Sequence, residues 1–585
     1  MTRHRQRLDK WQFQVDQNNI GEERGWFRPA HDTSGWMAVE APKPWDFYHE
    51  AFWGYEGVGW YTAEIQAAGP VEPGLLQRII FNSVSGHARI WLNGTYLGEH
   101  FSPYMPFNFL ITPYLKGEGS NVIAMRVDNR HREEWLPGGA TVEWIQYGGI
   151  LQPVEIETSA AVSIHSVKVD PTLRDNQSAI VHCRVEISNA SAQDSFTGEV
   201  TIELPGDGGG IAASAALTCG CQETVEVALV FDLPDPQLWD VDHPRLYRMQ
   251  VNVQTKQTII DQMEQRFGIR TIETVGTQIM LNGKPLLIKG VNRYDEYAGF
   301  GPSVPPAMIR EDLLKIKSMG ANLVRFHYPQ SEVHLDIMDE LGLLHFAEVP
   351  LNWWLSEWGG DRPYIPEVID KAEVVLEEMI KRDYNHPCVI VWSMCNESGT
   401  NTEHGIAAMR RLIQRTRELD KSRLTTFVTT GSDGHAAFDE ADLVCVNLYY
   451  GVFFHRKLAY EIAELDEVVR IPTEEHLRKT AADYPNKPVI MAEFGTHGIF
   501  GLSGKDRFSE TYQAAYLESV WQAIVGARIQ GGVLWCWADY YHRRDFFNTE
   551  GLMWQAPYGP FGIVTIDRKE KEGFHTLSRL FNSTV

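Results

Sequence analysis

The chain is poor in several features, and each lack closes off a class. Among 585 residues there are seven cysteines, an odd number, and no Cys-x-x-Cys pair. Cys388, Cys445 and Cys536 lie inside apolar, strand-like runs and read as small buried hydrophobes. That argues against a disulfide framework and favours a reducing compartment, here the cytoplasm. Basic residues are in deficit: 53 Lys and Arg stand against 77 Asp and Glu, a net charge of −24. No basic run offsets this, so nucleic acid is not an expected partner. No apolar run reaches membrane-spanning length, and no apolar segment follows the basic stretch Met1–Arg7. Neither membrane insertion nor a signal peptide is expected. Low-complexity segments and solenoid periods are also missing.

What is present is aromatic and strand-rich. Eighteen Trp and 22 Tyr can stack on sugar faces, although core packing accounts for most single rings. Residues 1–160 carry short alternating runs such as Gly59–Ile65 and His87–Leu92, the latter entering an Asn93-Gly94 turn. These predict an all-β sandwich. Residues 161–272 alternate in the same way at Ala179–Ile187 and Tyr247–Val253, as an immunoglobulin-like sandwich would, with Pro205–Gly210 as a loop. From 273 to 585 the rhythm changes. Strand-like runs at Leu286–Val291, Asn322–Phe326, Leu343–Glu348, Cys388–Ser393, Leu424–Val428, Leu443–Asn447, Val489–Glu493 and Gly532–Trp537 alternate with amphipathic segments such as Ile309–Met319, Glu367–Tyr384, Thr402–Glu418 and Ser509–Ile524. Eight strands with intervening helices over that length predict a (β/α)8 barrel. The fold class expected is therefore multidomain, β plus α/β.

A parallel barrel gathers all its strand ends at one rim, where such barrels keep their chemistry. The polar residues expected there are Asn292 and Arg293, Arg325 and His327, Asn396 and Glu397, Asn447 and Tyr449, Glu493, and Trp535 and Asp539. Each one alone is more readily a structural hydrogen-bonder. Together they make one site with two carboxylates, Glu397 and Glu493, each ending an apolar strand. Paired carboxylates are the minimal equipment for cleaving a glycosidic bond.

Two of these stretches carry a resemblance. Asn322–Pro329 (NLVRFHYP) and Asn385–Ser398 (NHPCVIVWSMCNES) resemble the two signatures of glycoside hydrolase family 2. The resemblance extends over nearly the whole chain, as a sugar-binding jelly roll, an immunoglobulin-like domain and a catalytic barrel. It implies a retaining exo-β-glycosidase with Glu397 as general acid/base and Glu493 as nucleophile. Asn396 then matches the ligand of the sugar 2-hydroxyl, Arg325 and Tyr449 the groups that hold the nucleophile, His327 a hydroxyl ligand and Trp535 an aromatic platform. Glu143 matches a jelly-roll carboxylate that reaches the barrel site, where the family usually has Asp. Relatives are often homo-oligomers.

The sugar is read less directly. The Asn-x-Lys element by which β-glucuronidases hold a carboxylate is missing around Pro557–Ile563, leaving Arg293 or Arg543 as substitute cations. Asn352 and Trp353 stand where the long β-galactosidases place magnesium ligands, so no metal and no cofactor is expected. A neutral sugar such as β-galactose is the first expectation, with a uronide or a furanoside next. Trp353, Trp354 and Trp358 are candidates for an aglycone site. The reading from another class is a non-catalytic carbohydrate-binding protein, which would have no need of the carboxylate pair.

Overall fold

The computed structural model describes residues 3–66, 74–117, 119–137, 142–174, 178–205, 210–256, 258–355, 363–453, 457–541 and 558–584. The N-terminal part is a jelly-roll sandwich. Its six-stranded sheet runs in the order Met37–Glu40, Lys10–Val15, Val58–Gln66, Ser120–Asp128, His87–Leu92, Thr95–His100. A four-stranded sheet of His4–Arg7, Val154–Ala160, Leu75–Phe81 and Phe107–Leu110 faces it. Phe13, Tyr61, Ile79, Phe81, Ile90 and Met125 fill the space between. The Asn93-Gly94 turn has φ of 53° and 85°, the left-handed pair that suits the twist of a two-residue hairpin. A second sandwich follows. It packs Val162–Arg174, Ser178–Asn189 and Glu223–Pro234 against Ile211–Cys219, Phe196–Glu203, Tyr247–Gln254 and Ile259–Phe267. Alternate residues of Ser178–Asn189 are buried, as a half-covered strand requires.

Eight parallel strands then close into a barrel: β1 Ile288–Asn292, β2 Leu323–Arg325, β3 Leu344–Glu348, β4 Val389–Asn396, β5 Leu424–Thr429, β6 Val444–Asn447, β7 Val489–Phe494 and β8 Gly531–Leu534. β1 pairs with both β2 and β8, which completes the ring. Strands β2 to β8 are buried along their whole length, which explains their continuous apolar runs. Helices alternate with the strands from β1 onward, and their starts are marked locally. Pro306 and Pro366 open Pro306–Ser318 (α1) and Pro366–Asp383. The Thr402 and Ser509 hydroxyls cap Glu403–Leu419 and Glu510–Ala527 by accepting from Gly405 N and Tyr512 N.

Two strand ends differ from expectation by three residues. β4 continues to Asn396, which carries that side chain to the rim. β8 stops at Leu534 rather than Trp537; beyond it single bonds continue, Trp535 N–H to Phe494 O of β7 and Trp537 N–H to Asn292 O of β1, without regular strand pairing. The jelly roll touches this same rim through ring stacking, Tyr104 on Tyr328 at 4.5 Å and Trp144 on His327 at 5.8 Å. Among the described residues no helix is long and apolar enough to cross a membrane.

Candidate active site

At the C-terminal rim the strand ends converge on Arg325, the last residue of β2. Its side chain is fully buried, and its donors radiate to neighbouring strands. Nη1 reaches Glu493 Oε1 on β7 at 2.8 Å and Asn292 Oδ1 on β1 at 3.1 Å. Nη2 reaches Asn396 Oδ1 on β4 at 2.9 Å and both oxygens of Glu348 on β3, at 3.0 and 2.8 Å. The other oxygen of Glu493 accepts from the Tyr449 hydroxyl at 2.7 Å. His327 lies between two carboxylates, with Nδ1 2.9 Å from Glu348 Oε1 and Nε2 3.4 Å from Glu493 Oε1.

Glu397 directly follows β4 and is held differently. Its Oε1 accepts from Asn447 Nδ2 at 2.7 Å and its Oε2 from Trp353 Nε1 at 2.9 Å. Both donors are neutral. Burial pushes its carboxyl up, the charge of Glu493 adds to this, and the two hydrogen bonds and Arg325 offset only part, so it ends at about 7. Asn447 also donates to Asn396 Oδ1 at 3.1 Å, and Asn396 Nδ2 donates to Asn352 Oδ1 at 2.8 Å. That leaves Asn396 one amide hydrogen for a ligand.

The jelly roll supplies the far wall. Glu143 accepts from the Tyr540 hydroxyl and lies 3.5 Å from that of Tyr294. Burial pushes the Glu143 carboxyl up to about 8 against the pull of the Tyr540 hydrogen bond, with Glu493 and Glu397 adding to the rise. Trp535 packs edge-on against Tyr294 at 5.1 Å and tilted against His327 at 5.1 Å, so an aromatic surface backs this side.

Of the residues expected from sequence, Glu397, Glu493, Asn396, Arg325, His327, Tyr449 and Asn447 fall into one hydrogen-bonded group, with Glu143 and Trp535 beside it. Arg293 does not join them. Asn292 turns into the barrel to meet Arg325, and alternation along β1 sends the next side chain outward. There Arg293 is fully buried against α1, with Nη2 2.9 Å from Asp312. Asp539 is likewise engaged elsewhere, 2.7 Å from Lys571 Nζ. Trp358, Arg543 and Pro557 lie outside the described residues.

Asn352 and Trp353, read as places where metal ligands are replaced, turn out to bond Asn396 and Glu397. Among the described residues one cluster, Asp339, His386 and Cys388, brings three metal-capable donors together. It lies at the opposite end of the barrel, where Asp339 is already occupied by His386 Nδ1 at 2.6 Å and Cys388 N–H at 3.0 Å. Sequence reasoning gave no role to Glu348 or Tyr540. The signal for Glu348 was available, since it is a third carboxylate ending a barrel strand, one that is fully buried. Tyr540 carried none, because its meeting with Glu143 joins residues 397 positions apart in the chain.

Comparison with known proteins identifies the family. The model for "Glycosyl hydrolases family 2, TIM barrel domain" matches residues 272–583, and that for "Glycosyl hydrolases family 2" matches residues 162–270. A β-glucuronidase of Mus musculus is 26% identical, with 91% of this chain and 84% of that protein covered. A β-galactosidase of Thermoanaerobacter pseudethanolicus is 30% identical, with 71% of this chain but 55% of that protein covered, so the chain spans little more than half its length. Among solved structures, a β-galacturonidase of Eisenbergiella tayi bound to galacturonate superposes with a TM-score of 0.84 at 23% identity, over 100% of this chain and 98% of that one. A Ruminococcus gnavus β-glucuronidase reaches 0.87 at 24% identity, over 100% and 98%. The family models cover the closed barrel and the second sandwich almost end to end, and the chain belongs to glycoside hydrolase family 2.

Proposed function

We propose that the protein is a retaining exo-β-glycosidase that removes a terminal β-linked sugar by double displacement. Glu493 attacks the anomeric carbon and forms a glycosyl ester, while Glu397 gives its proton to the departing oxygen. Esterification removes the negative charge of Glu493. Glu397, now ionised, takes a proton from the water that attacks the ester, and Glu493 is released. The observation that carries this reading is the contrast between the two carboxylates. Glu493 is gripped by a guanidinium and a phenol, as a group that must work as an anion. Glu397 has only neutral donors and holds its proton to about pH 7, as a proton carrier must.

Around this pair, the remaining amide hydrogen of Asn396 serves the sugar 2-hydroxyl, His327 and Glu143 serve other hydroxyls, and Trp535 underlies the ring. The substrate is a small glycoside. The chain divides into a sugar-binding jelly roll at 1–160, an immunoglobulin-like domain at 161–272 and the catalytic barrel at 273–585.

For the sugar, a neutral one of β-galactose type is favoured. A uronate needs a cation of its own. Among the described residues, Arg325 is committed to Glu348 and Glu493, Arg293 and Arg568 to Asp312, and Lys571 to Asp539. Glu143 adds a further acid beside the ring. The second reading is a β-uronide, favoured by the β-glucuronidases and the β-galacturonidase among the relatives. A panel of chromogenic galactosides, glucuronides, galacturonides, mannosides and pentosides decides. Turnover of a galactoside above all others is expected. Preference for a uronide replaces the first reading by the second, and binding without turnover of any member defeats the enzyme reading.

A further inference from the structure

One carboxylate at the rim has no part in the chemistry above. Glu348 ends β3, and its side chain has no exposed surface, so a sugar cannot reach it. Both of its oxygens are nevertheless fully engaged. Oε1 accepts from Arg325 Nη2 at 3.0 Å and faces His327 Nδ1 at 2.9 Å. Oε2 accepts from Arg325 Nη2 at 2.8 Å, from Arg325 Nε at 3.2 Å and from the Ser393 hydroxyl at 2.9 Å. The arrangement is two-sided. Arg325 turns its Nε–Nη2 edge to Glu348 and its Nη1 to Glu493. His327 turns Nδ1 to Glu348 and Nε2 to Glu493. The two cation-capable groups that face Glu493 Oε1 are thus both held from behind by one carboxylate.

We propose that Glu348 is a positioning residue of the hydrolysis: untouched by sugar, it aims Arg325 and His327 at Glu493 and cancels enough of the Arg325 charge for Glu397 to keep its proton. The proposal rests on the roles given above to Glu397 and Glu493. Its physical basis is the sharing of one guanidinium. Burial pushes the Glu348 carboxyl up, but Arg325 and the His327 hydrogen bond outweigh this and bring it below the usual carboxylate range. It therefore stands as a fixed negative charge. Glu397 feels Arg325 and Glu493 with opposite signs. Its other partners, Asn447 and Trp353, are neutral. Glu493 faces Arg325, His327 and Tyr449, with Glu143 across the site. The thiols near Glu348, Cys395 and Cys445, are pushed up to about 12 by burial and carry no charge. Remove the charge of Glu348, and the guanidinium acts on Glu397 without its counterweight.

The test uses the full chain and a β-glycoside that the wild type hydrolyses. For Glu348→Gln the expected loss in kcat is about 10- to 100-fold. The alkaline limb of its kcat/KM profile is expected to move about one pH unit lower, as the loss of a nearby charge dictates. Glu348→Asp keeps the charge but shortens the reach to His327, so its kcat/KM falls while the limb stays in place. A Glu348→Gln limb that coincides with the wild-type limb overturns the proposal and leaves Glu348 a plain counter-ion. If circular dichroism shows Glu348→Gln unfolded, Glu348→Asp decides: a displaced limb there overturns the proposal, and an unmoved limb with lowered kcat/KM supports it. Failure of the wild type to turn over any glycoside would remove the glycosidase reading itself, a result distinct from either variant's.

Discussion

The two ends of the barrel are built from similar materials and put them to opposite use. At the N-terminal end, Arg423 donates to the carbonyls of Val389, His386 and Tyr384 and pairs with Asp420 at 2.9 Å. Arg270 spreads its donors over the carbonyls of Pro387, Ser422 and Val389. Burial works against the Asp420 charge, but Arg423 and several hydrogen bonds prevail and lower its carboxyl to about 2. These two arginines spend their donors on backbone carbonyls, and Asp420 has Arg423 as its ion-pair partner. At the C-terminal end Arg325 is as deeply buried, yet its partners are carboxylates and amides. Burial is the foremost influence on two further acids and raises Glu397 to about 7 and Glu143 to about 8. Burial is common to both ends. What separates a structural end from a reactive one is whether the buried acids are left able to change charge.

This contrast can be broken in four ways. The largest effect is expected at the reactive end. Glu493→Gln should lower kcat by about 10⁴-fold or more, while its melting temperature stays close to that of the wild type because Glu348 still pairs with Arg325. Steady-state kinetics beside a thermal melt checks both halves. Next comes Glu397→Gln, with a kcat loss of about 10²- to 10⁴-fold on glycosides with poor leaving groups. The loss should shrink on activated aryl glycosides, which need little protonation. The wild-type alkaline limb, expected near the Glu397 value of about 7, should vanish in this variant. A limb that persists assigns the acid elsewhere.

The third test belongs to the other end. Arg423→Ala leaves Asp420 buried without its cation and should cost about 3–5 kcal/mol of stability in denaturant unfolding. Molecules that remain folded should keep KM and kcat near wild type. A large loss of kcat with unchanged stability would dissolve the distinction between the ends. The smallest effect is a pH trend in stability. Burial, their foremost influence, raises Asp46 and Glu296 to about 7 and Glu143 to about 8, above their unfolded values. The folded chain therefore holds protons that the unfolded chain has released. Their contribution is fully present below the ordinary carboxylate range and is lost as pH rises through about 7 to 8. The melting temperature should be higher at about pH 5.5 than at about pH 8 by a few degrees. Equal values would mean that these carboxyls are better solvated than their surroundings imply.

Much of this was legible in the chain itself. The barrel strands are buried, so their apolar runs stood out, and all eight were located to within three residues at either end. β8 was drawn too long because Cys536 and Trp537 are apolar, although regular strand pairing ends at Leu534. Glu397 and Glu493 were visible because a carboxylate at the end of such a run is conspicuous. Arg293 misled for a geometric reason: neighbouring strand residues point oppositely, and sequence alone does not say whether Asn292 or Arg293 faces inward. Trp353 was read as an aglycone aromatic standing in a magnesium ligand's place, because its indole nitrogen meets Glu397 only in the folded chain. Pairings of that kind are long-range, and no local period encodes them.

One detail of Glu397 has a wider consequence. Its φ is +43°, in the left-handed region, where a side chain other than glycine costs about 1–2 kcal/mol. Its carboxyl is buried, and among the described residues its hydrogen-bond donors are neutral. Backbone and side chain are therefore both placed at a thermodynamic loss, and folding alone gives no reason for this residue here. Glycine at the same position would release that strain. A catalytically dead Glu397→Gly chain should then melt at or above the wild-type temperature, so a screen for thermostability would drift toward inactive protein through this one codon.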